Sequence, residues 1–161
     1  MKLSPREAKG YFRKPDPRRP GILIYGADAM RIATRRQEIL GALVGPAGEE
    51  EMRLTRLAAS ELRKDKAALL DALKAQSFFP GQMAVHVEDA TDGLSEAISG
   101  ALADWAEGDA HLVVTAGALT AKSSLRKVFE GHPSAYATGI YDDPPASAII
   151  RAISSRSGGS S

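Results

Sequence analysis

Cysteine is absent from the 161 residues, and with it go disulfides, thiolate zinc sites and thiol nucleophiles. Long apolar runs are missing too. Nothing approaches the roughly 20 residues needed to span a bilayer, and Met1-Lys2-Leu3 leads into charged residues where a signal peptide would place its apolar core. The expectation is a soluble, cytoplasmic protein with no membrane partner. Charge of one sign is scarce overall: 21 Lys and Arg face 20 Asp and Glu, for a net +1, so the molecule as a whole has no strong pull on nucleic acid or anionic lipid. The excess is local. Lys2, Arg6, Lys9, Arg13, Lys14, Arg18 and Arg19 fall in the first twenty residues against Glu7 and Asp16, with Pro15, Pro17 and Pro20 interrupting helix formation there. Residues 1–20 therefore read as a basic leader, either solvated or a phosphate-contacting arm.

What is present suits one globular domain with one core, at 43% hydrophobic and 25% charged residues. Gly21-Ile22-Leu23-Ile24-Tyr25-Gly26 is a continuous apolar run bracketed by glycines, as in a strand buried on both faces. A helical pattern follows from Asp28 to Val44, with Ala33, Leu40, Leu43 and Val44 on one stripe, and Gly45-Pro46 ends it. Residues 51–57 alternate like a strand near the sheet edge. Ser60 is a candidate cap for a helix running to Gln76 on Leu69, Leu70 and Leu73. Met83 to Val87 reads as a strand, and Leu94, Ile98, Ala101, Leu102 and Trp105 as one helix face closed by Gly108. Ala110 to Ala116 reads as a fourth strand, Ser123 to Phe129 as a short helix and Ser134 to Gly139 as a fifth strand. Alternating strands and helices with short turns predict an α/β fold of three layers, a parallel five-stranded sheet with helices on both faces. After residue 143 the pattern breaks: Pro144-Pro145 precede a helical stretch from Ala146 to Ile153 and a Ser/Gly tail, which reads as the truncated start of a second domain.

Several chemistries are written out of the chain. A phosphate loop G-x-x-x-x-G-K-[ST] beginning at Gly26 needs Gly, Lys and Ser/Thr where Arg31, Ile32 and Ala33 stand, so neither the phosphate-binding ammonium nor the magnesium hydroxyl is supplied. Glu88-Asp89 looks like the acidic pair that positions magnesium in such ATPases, and a residual nucleotide-dependent enzyme would have to use it. Without the loop it reads as acidic residues at a strand end. His86, His111 and His132 have no metal-ligand spacing, and no G-x-S-x-G elbow occurs. No cofactor, no metal and no intrinsic catalysis are expected.

Phe78-Phe79 stands where the helix through Leu73 gives out, since Pro80 disfavours helical geometry at Phe79. Neither aromatic shares the leucine face. The pair either caps the core from its end or is presented outward as an anchor for another protein.

The order of these motifs resembles the delta subunit of the bacterial DNA polymerase III clamp loader. The resemblance rests on Ile22-Leu23-Ile24-Tyr25-Gly26-Ala27-Asp28, on Leu69-Leu70-Asp71-Ala72-Leu73 leading to Ser77-Phe78-Phe79-Pro80-Gly81, on Met83-Ala84-Val85-His86-Val87, and on Leu119-Thr120-Ala121-Lys122-Ser123-Ser124-Leu125-Arg126-Lys127. It implies a AAA+ ATPase-like core over 21–143 that has lost its phosphate loop, and a module that binds the ring-shaped sliding clamp and opens it during DNA replication. Ser77, Phe78 and Phe79 are then the clamp-binding residues, although the family often has Leu-Phe in place of Phe78-Phe79. The other loader subunits are partners of a full-length chain that continues into the helical collar. An alternative function is a DNA-contacting accessory domain with an inactive nucleotide-binding fold, using the basic leader and Lys122, Arg126 and Lys127.

Overall fold

The computed structural model describes residues 1–16, 18–45, 53–75 and 82–140. The expected C-terminal helix and tail, and the three residues Ser77, Phe78 and Phe79, lie outside them.

Five strands form one parallel sheet in the order β2-β3-β4-β1-β5: β1 Gly21–Tyr25, β2 Leu54–Ala58, β3 Ala84–Ala90, β4 His111–Ala116 and β5 Tyr136–Gly139. β1 and β4 are buried at every position, as strands covered on both faces must be, whereas β2 at the edge is only partly buried. Each parallel pairing requires a crossover, and the helices supply it. On one face lie α1 (Pro5–Arg13) and α2 (Ala29–Val44), packing Phe12, Ile32, Ile39 and Leu43 onto Ile22, Ile24 and Val113. On the other lie α3 (Ala59–Lys64), α4 (Ala67–Lys74), α5 (Ser95–Asp104) and α6 (Ser124–Glu130), which bury Leu62, Leu69, Leu73, Ile98, Leu102, Leu125 and Phe129 against Leu23, Val85, Val87, Leu112 and Val114. The α/β fold and the three-layer arrangement are those expected from the sequence.

Four elements differ from the reading above. The leader is not a solvated arm: Ser4 and Glu7 form a reciprocal capping box, Pro5 sits in the first turn, and α1 buries Ala8 and Phe12. The prolines at 15, 17 and 20 lie beyond the helix instead of within it. Lys2 bridges Ala137 of β5, so the leader is built into the domain. The single helix expected up to Gln76 is two, because the Asp65 carboxylate accepts from Ala67 N at 3.1 Å and restarts the helical ladder. Ser60 lies inside α3, and Glu61 instead accepts from Ala58 N at 2.9 Å. In α2 the buried stripe also takes in Ile32 and Ile39, Ile39 being the deepest, and Ala33 is only half-buried. Finally, β3 runs past Val87 through an irregularity. Val87 and Ala90 pair with Val114 and Ala116, and Asp89 takes a positive φ of 54°, a bulge that leaves Glu88 and Asp89 out of the pairing with β4 while Glu88 still pairs with Ala58 of β2.

Candidate functional site at the crest of the sheet

The carboxyl ends of β1, β3 and β4 converge with the start of α2 around a half-open cleft of about 360 Å³, lined among others by Gly26, Ala33, Arg36, Glu88, Asp89 and Thr115. In open α/β sheets ligands bind at such a place, outside the strand carboxyl ends where the strand order reverses. Here the order reverses between β4 and β1.

The turn from β1 into α2 explains why a phosphate loop is impossible. Only Gly26, Ala27 and Asp28 separate the two elements. The three positions that would carry the loop's second glycine, lysine and hydroxyl are already in the first turns of α2: Ile32 is buried in the core, and Arg31 is ion-paired to Asp28 at 3.3 Å. The N–H groups that would face a phosphate are claimed from within. Asp28 Oδ1 accepts from Met30 N at 3.0 Å and from Arg31 N at 3.2 Å, so the chain places its own carboxylate where the nucleotide's charge would sit. Gly26 is glycine for another reason. A Cβ there would lie 2.2 Å from the Ile140 carbonyl oxygen, because Ile140 N donates to Tyr25 O at 2.7 Å and draws the chain leaving β5 across the crest.

Glu88 and Asp89 do line the cleft, as their position at the end of β3 leads one to expect. Among the described residues no three His, Cys, Asp or Glu side chains come together as metal ligands. Beneath Glu88 lies His86, fully buried, its Nε2 2.9 Å from Thr115 Oγ1 and its Nδ1 3.7 Å from Glu88 Oε1 without a hydrogen-bond partner. Burial, reinforced by the positive charges of Arg36 and Arg56, lowers its pKa to about 4, so the ring is neutral at pH 7. His111 is the second buried histidine. Its Nδ1 donates to Arg19 O at 2.9 Å, which fixes the tautomer, and Nε2 accepts from the Tyr11 hydroxyl at 3.2 Å. Burial lowers its pKa to about 4 as well and pushes the Tyr11 phenol up. Both histidines are hydrogen-bonded structural groups, and His111 ties the leader to β4.

The three candidate DNA contacts are not equivalent. Lys122 and Lys127 are exposed. Arg126 is not offered to a partner: its side chain is 11% exposed, it pairs with Glu130 at 2.9 Å, donates to Leu119 O at 3.3 Å, and stacks 4.9 Å over the Tyr25 ring. That expectation is corrected by the i,i+4 geometry, which turns the guanidinium inward. Asp92 backs the same corner, accepting from Ser123 Oγ at 2.5 Å and from Leu125 N at 3.2 Å. These hydrogen bonds hold its carboxyl below the usual range. Sequence reasoning did not find Arg36, Thr115 or the capping role of Asp28 in the cleft. Only Asp28 carried a signal, an Asp directly before a helical pattern.

Residues 76–81 join Ala75, just past α4, to Gln82, just before β3, and β3 begins at the sheet edge opposite the crest. The end of α4 is well fixed, with Leu69 and Leu73 in the core and Lys74 Nζ 2.6 Å from Asp109 Oδ2 and 2.9 Å from Asp104 O.

Among the described residues no helix is long and apolar enough to cross a membrane. No known family profile matches the chain, and no curated protein matches it in sequence. Among solved structures, the fold is similar to that of a DNA polymerase III gamma subunit-related protein from Thermotoga maritima, with a TM-score of 0.54 and 15% identity over 78% of this chain and 42% of that one. The chain thus spans less than half the length of that protein, and at this identity the likeness is one of fold, a parallel α/β core; in this chain a three-residue turn joins β1 to α2.

Proposed function

We propose that this chain is the clamp-binding part of a DNA polymerase III clamp-loader subunit of the delta type, acting through Phe78 and Phe79, with Ser77 beside them, on the sliding clamp. The observation that supports it most is the crest: the sheet order of a nucleotide-binding core, with the phosphate position taken by Asp28 and closed by a turn too short to bind phosphate. A domain of this kind works by binding and not by hydrolysis. Its likeness in fold to a polymerase III-related protein and the order of its motifs direct the reading to the clamp loader. Two phenylalanines next to a rigidly held helix end suit an anchor that enters an apolar pocket.

Opening a ring by binding requires tighter affinity for the open form than for the closed one, since a ligand shifts an equilibrium only by its differential affinity. Each tenfold preference corresponds to about 1.4 kcal/mol of opening. On this reading the other loader subunits are partners if the full-length chain is present.

Calorimetric titration into the sliding clamp of the same organism tests the reading, with Phe78→Ala/Phe79→Ala as the variant and its circular dichroism and melting temperature as controls for folding. The expected result is binding by the parent and a loss of about 30-fold or more in the variant, since hot-spot truncations cost roughly 2 kcal/mol or more. A folded parent that does not bind the clamp, or a variant that binds equally well, overturns it. Millimolar ATP with magnesium is expected to leave the melting temperature unchanged, because a ligand that does not bind the native state cannot stabilise it.

A further inference from the structure

The sequence concentrates cations in its first twenty residues, and the fold sorts them. Arg18 pairs with Asp16 at 3.3 Å, and Arg19 lies 5.2 Å over the Tyr136 ring. Arg6, Lys9 and Arg13 behave differently. All three are exposed, and none is in an ion pair among the described residues. At about 100° per residue they fall within roughly 60° of one another on α1, spread over about 10 Å of helix axis. Phe12 and Ala8, centred roughly 110° round the helix from that row, hold a neighbouring side in the core. Lys2, ahead of the cap, and Lys14, just after the helix, are also exposed.

This is not a loose basic tail. The capping box, Pro5 in the first turn, the burial of Phe12 and the bridge between Lys2 and Ala137 all fix α1 on the domain. The cations are therefore held in place before any partner arrives, which lowers the ordering cost of binding.

We propose that the exposed side of α1 is a nucleic-acid backbone surface, with Arg6, Lys9 and Arg13 at its centre and Lys2 and Lys14 just outside the helix, taking the phosphates of duplex DNA without reading sequence. A row of unmatched positive charge on a rigid rod suits the regular line of charge along a duplex, about one phosphate per 1.7 Å of axis. An anionic bilayer fits less well. A helix that lies in a membrane interface needs an apolar side to insert, and the apolar side of α1 is already packed on the sheet. The exposed large apolar side chains among the described residues, Met1 and Met30, are not on α1. The proposal uses neither Phe78 nor Phe79, so it stands whether or not the clamp reading does.

Fluorescence anisotropy of a labelled random-sequence duplex, titrated with the 161-residue chain between 50 and 200 mM salt, tests the proposal. With five phosphates engaged, the slope of log K against log salt is expected at about −4.5, at about −0.9 per phosphate. Arg6→Gln/Lys9→Gln/Arg13→Gln should reduce that slope by about 3. The charge-matched control Lys64→Gln/Lys122→Gln/Lys127→Gln should leave it within about 1 of the parent, and Arg6→Lys/Arg13→Lys should preserve it, since counterion release follows charge. Phe78→Ala/Phe79→Ala should bind DNA like the parent, which separates this surface from clamp binding. A control variant that loses as much slope as the α1 variant overturns the assignment. So does absence of binding at 50 mM salt, or binding to phosphatidylserine vesicles without binding to the duplex.

Discussion

The two faces of the sheet are filled by different means. Under α3 to α6 the strands contribute Leu23, Val85, Val87, Leu112 and Val114, and the helices answer with leucine, isoleucine and Phe129. Under α1 and α2 the same strands contribute Ile22, Ile24 and Val113, but also His86, His111, Thr115 and Thr138, all buried. The first face is held by apolar area, at about 25 cal/mol per Å² removed from water. The second carries polar groups that must be met one by one: His111 by Arg19 and Tyr11, and His86 by Thr115 at Nε2 only, its Nδ1 having no hydrogen-bond partner. Alternation along each strand makes this possible, since one register delivers opposite residues to opposite faces. The polar face is also the one that receives the leader, so its hydrogen bonds join two parts of the chain that the sequence keeps far apart.

The comparison can be broken most severely on the apolar face. Phe129→Ala there should lower the unfolding free energy by about 3–5 kcal/mol, measured by urea denaturation, because a fully buried ring leaves a cavity. Acid should instead act on the polar face. Both buried histidines have folded pKa values of about 4 against an ordinary 6.5, so the unfolded chain binds more protons between those values. Their contribution is complete above pH 6.5 and falls as pH drops toward 4, by roughly 2 kcal/mol per histidine at pH 5. Urea midpoints at pH 7 and pH 5 measure this, and His86→Gln should remove about half of the difference between them. The smallest effects belong to the helix ends. Asp28→Ala on α2 and Ser123→Ala on α6 should each cost about 1 kcal/mol in thermal or urea unfolding. Ser123→Ala should cost the more of the two, because Ser123 also donates to Asp92.

Most of the fold was legible because its signals are local. β1 and β4 are uninterrupted apolar runs, α5 repeats its buried residues at helical spacing, and α6 starts at a serine that does cap it. The misreadings come from competing signals. In the first twenty residues seven cations and three prolines at 15, 17 and 20 mask Ser4-Pro5-Arg6-Glu7, a capping box with proline in the first turn that marks a helix start in its own right. The bulge at Asp89 depends on a left-handed backbone at a residue that seldom adopts one, which no periodicity announces. At the crest, the failure of the phosphate motif at Arg31, Ile32 and Ala33 was visible residue by residue. The reason was not, because turn length is a property of where α2 begins. Arg126 was read as a cation facing outward although Glu130, four residues on, is its natural partner on a helix.

The chain leaving β5 passes over Gly26 so closely that not even a methyl group fits between them. An engineer who restored lysine and threonine at Ile32 and Ala33 would put the right side chains on the wrong backbone, facing a lid of main chain and a turn with no slack. Recovering nucleotide binding would take an insertion between β1 and α2 and a rerouting of the segment after Gly139, changes that single substitutions do not reach. A phosphate loop is therefore excluded here by path length as well as by residue identity.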